Sequence, residues 1–251
     1  ILIQQFNCEF RVINAIDDTK EILFHSFHER LYWRYQATRN SEPELNQMIH
    51  EMSKSSIFYD IGSNVGVFSL MAAQSKGCKV FSFEPDFQNL AVQQINIDKN
   101  NLNDLITVIP IPLSEKPSLR KMYSKQISPG DALHSLDKPS HGLSQVGKKN
   151  VISSHAMSFS IDFLIKHFSL PLPTHMKIDV DGIEFLILQG ATNALSNLSK
   201  LIVECNTEKN GNFVKIKTFL EDNGMNLSKI CEPETAHTPN IVNVIFVRKK
   251  E

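Results

Sequence analysis

The sequence has no closely spaced pair of cysteines. Its four, Cys8, Cys78, Cys205 and Cys231, lie far apart and form no C-x-x-C. That excludes a zinc knuckle or a disulfide framework, and a reducing, cytoplasmic compartment is the expectation. No run of about 18 apolar residues occurs, so no membrane-spanning helix is predicted. The opening residues, ILIQQFNCEF, lack the basic segment and apolar core of a signal peptide. A first residue of Ile rather than Met leads us to expect native sequence before it. There is no basic excess either. The formal net charge is −1, so nucleic acid is not an expected partner. Internal repeats and low-complexity tracts are also missing. What is present is an ordinary globular balance, 41% hydrophobic and 21% charged, over 251 residues, enough for one large domain.

From about residue 55 onward, short apolar runs alternate with amphipathic stretches, the pattern of βα units feeding a mostly parallel sheet. Strands are predicted at 55–62, 79–84, 105–110, 175–180, 200–205, 225–230 and 241–247. The last two form a late hairpin, expected to add antiparallel strands. Helices are predicted at 65–76, 86–100, 183–190 and 212–222, and one after Ser160 as cap. In the helix at 86–100, Phe87, Leu90, Ala91 and Ile95 share a face expected to point inward. Gln88, Gln93, Asn96 and Lys99 are expected to meet water.

Two regions break the pattern. Residues 111–155, with Pro129-Gly130, Gly142 and Gly147, read as a long insertion with little regular structure and as a candidate lid. Residues 1–54 are expected to form an N-terminal cap of strands and helix ahead of a main domain at 55–251. Arg30, Arg34 and Arg39 surround Tyr32, Trp33 and Tyr35 there. Such interleaving can bind an anion or a base, but more often it is a packed surface with snorkelling side chains.

Three constellations carry chemistry. The first is Asp60-Ile61-Gly62-Ser63-Asn64-Val65-Gly66, between a predicted strand and helix. Gly62 and Gly66 permit a tight turn and let a ligand approach without meeting a Cβ. The free N–H groups of the helix start suit a carboxylate. Asp60, at a strand's carboxyl end, would be costly to bury alone, and an ammonium is its natural partner. The alternative is a tight turn with no ligand. Asn64 stands where G-x-G-x-x-G needs its second glycine, so this is not the dinucleotide fingerprint. The second is Glu84-Pro85, about twenty residues on, where an acid can accept hydrogen bonds from both ribose hydroxyls.

The third is Lys177-Ile178-Asp179-Val180-Asp181-Gly182-Ile183-Glu184. Alternation puts Lys177, Asp179 and Asp181 on one side of a strand that should be apolar on both. Either the carboxyl end of the strand is a ligand site, or Lys177 and Asp179 form an internal ion pair. Asp179, Asp181 and Glu204 could also hold Mg²⁺, but nothing requires it and no metal is expected. His25 and His28 have helical spacing without an evident third ligand and read as surface residues.

In this order, DIGSNVG, FEP, KIDVDGIEFLILQG, LIVEC and NVIFV resemble the FkbM family of methyltransferases. Ser41-Glu42-Pro43-Glu44-Leu45 resembles that family's lead-in, and Ser160–Leu164 its segment before the fourth strand. The likeness covers about residues 41–248 and is most specific from Lys177 to Gly190. Asp181 replaces the more usual glutamate, and Ser63 the more usual alanine. The resemblance implies an α/β fold: a Rossmann-like, seven-stranded, mostly parallel sheet with an antiparallel last strand and helices on both faces. It also implies S-adenosyl-L-methionine as cofactor and O-methylation of a hydroxyl on a small molecule or saccharide. By carry-over, Asp60, Gly62, Ser63, Asn64 and Gly66 lie at the methionine end. Glu84, with Pro85, holds the ribose, and adenine contacts come from about residues 112–115. Asp179 is the first candidate for catalytic base, with Asp181 and Glu184 next. The competing classes are a nucleotide or dinucleotide oxidoreductase, which Asn64 opposes, and a catalytically inactive cofactor-binding domain, which the retained Asp60, Glu84 and Asp179 oppose. No motif specifies the acceptor or an oligomeric state.

Overall fold

A computed structural model of the chain describes residues 8–26, 31–32, 35–36, 42–125, 129–130, 134–138, 151–209, 211–233 and 238–248. Strands β1 (Cys8–Ile13) and β2 (Glu21–Ser26) form an antiparallel hairpin, and helix α1 (Pro43–Glu51) follows. Then β3 (Ile57–Ile61), α2 (Val67–Lys76), β4 (Lys79–Phe83), α3 (Phe87–Lys99) and β5 (Ile106–Ile109) alternate as the periodicity predicts. Asp86 caps α3, its Oδ1 accepting from the N–H groups of Gln88 and Asn89.

Residues 111–155 are not the irregular insertion expected. Strands β6 (Ser118–Lys125), β7 (Ser135–Leu136) and β8 (Val151–Ser158) make a separate three-stranded antiparallel sheet. Most of β8 is exposed, so no apolar alternation marked it. Gly142 and Gly147 lie outside the described residues. Helix α4 (Ile161–Phe168) begins where the Ser160 hydroxyl accepts from Phe163 N–H at 3.2 Å. Next come β9 (His175–Ile178), α5 (Glu184–Gln189), α6 (Thr192–Leu195), β10 (Lys200–Asn206), α7 (Phe213–Asp222), β11 (Met225–Ile230) and β12 (Ile241–Arg248).

The main sheet runs β11-β12-β10-β9-β3-β4-β5. The body from β10 to β5 is parallel, β12 is antiparallel to β10, and β11 is antiparallel to β12. The order reverses at β3, so the crevice beyond the carboxyl ends of β3, β4 and β9 is the expected ligand position. Alternate residues feed two cores. Phe58, Val80 and Ile202 pack with α1, α2, α3 and the hairpin. Tyr59, Ile61, Met176, Ile178 and Val203 pack with α4 to α7. Burying each such side chain contributes roughly 1.5–3 kcal/mol. Among the described residues, no helix is long and apolar enough to cross a membrane.

Helix α3 reverses the face predicted for it. Asn89, Val92, Gln93, Asn96 and Ile97 are buried, while Phe87 is 64% exposed. The inward face is rich in amides because its partners are polar backbone and hydroxyl groups. Asn96 Oδ1 accepts from His25 N–H, and its Nδ2 donates to Tyr35 Oη and Val65 O. Asn100, at the helix end, accepts from Leu23 N–H and donates to Leu23 O. Gln93 donates to the Ser82 hydroxyl. Buried amides with full partners take the place of apolar contact. Of the Arg-aromatic cluster, Arg30, Trp33, Arg34 and Arg39 lie outside the described residues, as does His28.

Candidate active site

Asp60 stands one residue before the end of β3, in register with Ser82 of β4 and Lys177 of β9. The pleat turns it to the same side as Phe58, against α2. It is fully buried. Its Oδ2 accepts from the Ser69 hydroxyl at 2.6 Å, and Lys177 Nζ lies 3.9 Å from Oδ1. Burial holds its pKa above the usual carboxylate range, opposed by Lys177 and the Ser69 hydrogen bond. Asp60 therefore faces the interior and forms no part of the cavity described below. Inside the protein a serine hydrogen-bonds Oδ2 and a lysine lies near Oδ1, which has no hydrogen-bond partner among the described residues.

Glu84 lies just past β4, beside the first turn of α3. Its Oε2 accepts from Asn64 N–H and its Oε1 from Asp86 N–H, each at 2.8 Å. The two backbone donors and the Asn89 side chain together fix the carboxylate's orientation. Burial pushes its pKa up to about 7, against those two hydrogen bonds. Asn64 reaches Glu84 because its backbone is left-handed, with φ at 52°. Gly62, at φ 77°, is required sterically: a Cβ there would sit 1.9 Å from Asp179 O. Gly66 faces Gln93 instead of a ligand space, a Cβ there falling 2.6 Å from Gln93 Cγ. Ser63 is buried, its hydroxyl 3.4 Å from Gln93 Oε1.

At β9, Lys177 Nζ donates to Asp179 Oδ2 at 2.9 Å and sits 5.5 Å from the centre of the Phe68 ring. Burial disfavours its ammonium, but Asp179 and Asp60 outweigh that and hold it charged. Asp179 keeps 41% of its side chain exposed. Glu184 is turned away: Oε1 accepts from Gly182 N–H at 2.9 Å and Oε2 from Asn212 Nδ2 at 2.7 Å. Burial raises it to about 8. It ties the loop after β9 to α7. Among the described residues, no three His, Cys, Asp or Glu side chains are grouped to hold a metal ion.

A cavity of about 210 Å³ opens at the strand ends. Gly62, Asn64, Glu84 and Pro85 form one wall, and Asp179, Asp181 and Glu204 another. Ile111, Pro112 and Leu113, after β5, give an apolar slot beside Phe83. Met122 of β6 and Leu136 of β7 close it from above, with His134 beside them. His134 Nε2 is 3.6 Å from Asp86 Oδ2, and burial lowers its pKa, opposed by Asp86. Sequence reasoning did not single out Met122, His134 or Leu136, because the strands that carry them lack a readable period. Arg120 braces this roof, binding both oxygens of Glu115 at 2.5 and 2.6 Å and also Asp137.

A doubly wound sheet with an antiparallel β12 and a cleft at the β3 switch point is the architecture of Rossmann-like methyltransferases. Residues 60–227 match the Methyltransferase FkbM domain, and the chain belongs to that family. It is 27% identical over 173 residues to the hexuronic acid methyltransferase AglP of Haloferax volcanii, covering 68% of this chain and 65% of AglP. It is 25% identical over 205 residues to Methyltransferase 1 of Beauveria bassiana, covering 78% and 81% of the two chains. The fold is similar to that of the methyltransferase FkbM from Methylobacillus flagellatus KT. The TM-score is 0.57 at 18% identity, over 87% of this chain and 50% of that one. The chain thus spans about two thirds of AglP and half of the solved protein.

Proposed function

We propose that the cavity binds S-adenosylmethionine and directs its methyl group to a hydroxyl on a small molecule or saccharide. The observation that carries this is Glu84, a carboxylate held by two backbone N–H groups and the Asn89 side chain where it lines the cavity. That arrangement suits a ribose diol. The slot of Phe83, Ile111, Pro112 and Leu113 suits an adenine, and the acidic wall suits a ligand whose other end is cationic. When bound, the cofactor supplies a methyl group on a positively charged sulfur, displaced by the acceptor oxygen while the C–S electron pair leaves with sulfur.

The chain's own residues divide the remaining work. Asp179, oriented by Lys177, holds the acceptor hydroxyl and takes its proton, with Asp181 beside it on the cavity wall. Glu184 positions the loop that carries both. Asp60 acts at one remove, anchoring Lys177 from below. AglP, named for hexuronic acids, supports a saccharide acceptor. Calorimetry with S-adenosylhomocysteine, run beside NAD, tests the cofactor assignment. Binding of NAD and not of S-adenosylhomocysteine overturns it. Asp179→Asn is expected to bind S-adenosylhomocysteine normally and lose at least about 100-fold in methyl transfer. Wild-type turnover in that variant removes the base role.

A further inference from the structure

Glu204 is the one acid in the cavity wall that the foregoing leaves without a task. It lies on β10, one residue beyond the Val203–Ile178 pair, and so flanks Asp179 across the sheet. Its carboxyl lines the cavity and makes no hydrogen bond to any described residue. The charged groups facing it are Asp179 and Lys177 from β9, Asp181 from the loop after β9 and Glu184 from α5. The Cys205 thiol, next to it on β10, is raised by burial and stays neutral. Lys177 is already bound to Asp179. Among the described residues lining the cavity there is no lysine or arginine, while Glu84, Asp179, Asp181 and Glu204 are all present.

We propose that Glu204 positions the acceptor, acting with Asp179 as a donor–acceptor pair that admits an uncharged hydroxyl compound and turns away carboxylates. This rests on the methyltransferase reading and narrows its substrate class. Two carboxyl groups on neighbouring strand ends, with one lysine between the strands, do not both ionise readily. Lys177 Nζ donates to Asp179 Oδ2 at 2.9 Å, which marks Asp179 as the accepting partner. Glu204, half-buried and facing three other acids, is raised to about 9 by desolvation and by those acids. A neutral carboxyl donates one hydrogen bond and accepts another. Asp179 can only accept. Together they meet a hydroxyl at its hydrogen and a second oxygen of the same acceptor at its lone pair. A carboxylate brought to this wall would find three acids and no free cation among the described groups. The acceptor class should therefore differ from the hexuronic acid in the name of AglP.

The test uses the whole chain saturated with S-adenosylhomocysteine. Saturation-transfer NMR and calorimetry then compare matched alcohol and acid probes that each carry a second oxygen: methyl glucoside with methyl glucuronide, glycerol with glycerate, and ethylene glycol with glycolate. The alcohol of at least one pair is expected to bind at least tenfold more tightly than its acid. Glu204→Ala should weaken that binding about tenfold, Glu204→Gln should restore it, and the loss of binding above about pH 9 should vanish in Glu204→Gln. An acid bound as tightly as its alcohol, no binding by any probe, or a Glu204→Gln variant as weak as Glu204→Ala overturns the proposal. Failure to bind S-adenosylhomocysteine in the first step would strike the methyltransferase reading instead, so the two failures are separable.

Discussion

Asp60 and Glu84 belong to neighbouring parallel strands, and both are buried, but their surroundings differ. Asp60 is still within β3, so the pleat fixes its direction and α2 lies over it with Ser69 in reach. Glu84 is one residue past β4, free of the pleat, and is held by two backbone N–H groups and the Asn89 side chain at the wall of the cavity. One residue of strand length separates an acid that organises the interior from one that can meet a ligand. Position in a motif places an acid at a strand end; the last pleat and the helix above it decide which way it points.

The sharpest break in that comparison comes from Gly62, packed between the two acids and β9. Gly62→Ala drives a Cβ into Asp179 O at 1.9 Å, at a left-handed backbone, and is expected to abolish folded protein in a thermal melt. A smaller but large effect follows on the interior side. Lys177→Met strands Asp60 and Asp179 and should lower stability by about 3 kcal/mol in urea unfolding, partly recovered in a double variant with Asp60→Asn. On the ligand side, Glu84→Gln should weaken S-adenosylhomocysteine roughly 10–100-fold in calorimetry while Asp60→Asn leaves it within about threefold. Equal losses in both would erase the distinction.

The smallest effect is in pH dependence. Glu84, Glu184 and Glu204 are raised to about 7, 8 and 9. Above the ordinary carboxylate range the folded chain thus holds protons that the unfolded chain has released. Stability is expected to fall as pH rises through those values, by on the order of 5 °C in Tm between about pH 6 and 9. Glu84→Gln and Glu184→Gln should each flatten that slope. A melting temperature that rises over the same interval would contradict the burial of these groups.

Much of the frame was legible because buried parallel strands are short apolar runs, as in β3, β9 and β10, and because Ser160 and Asp86 mark helix starts by their own chemistry. The Lys177–Asp179 pair was legible as one of two alternatives: the ion pair is present, its lysine internal and its aspartate lining the cavity. The face of α3 was not legible, since Asn89, Gln93 and Asn96 pass every test for a wet surface until their partners are known. The small sheet that roofs the cavity was hidden for a related reason. With β8 wet along most of its length, its strands are held by backbone pairing and the Arg120 clamp and leave little apolar rhythm in the sequence. Glu204 looked like a spare ligand for a metal, because the sequence does not show which acids a lysine has already claimed.

The way α3 holds the hairpin has a further consequence. Asn96 and Asn100 grasp β2 through the main chain at Leu23 and His25, groups that every residue type except proline can offer. The docking is therefore indifferent to the outward side chains of that strand, exacting about two amides on the helix, and completed by Ile22 and Phe24 packed in the core. Exchanges on the outward face of β2 would be silent, whereas the loss of either asparagine would loosen the hairpin's hold on α3.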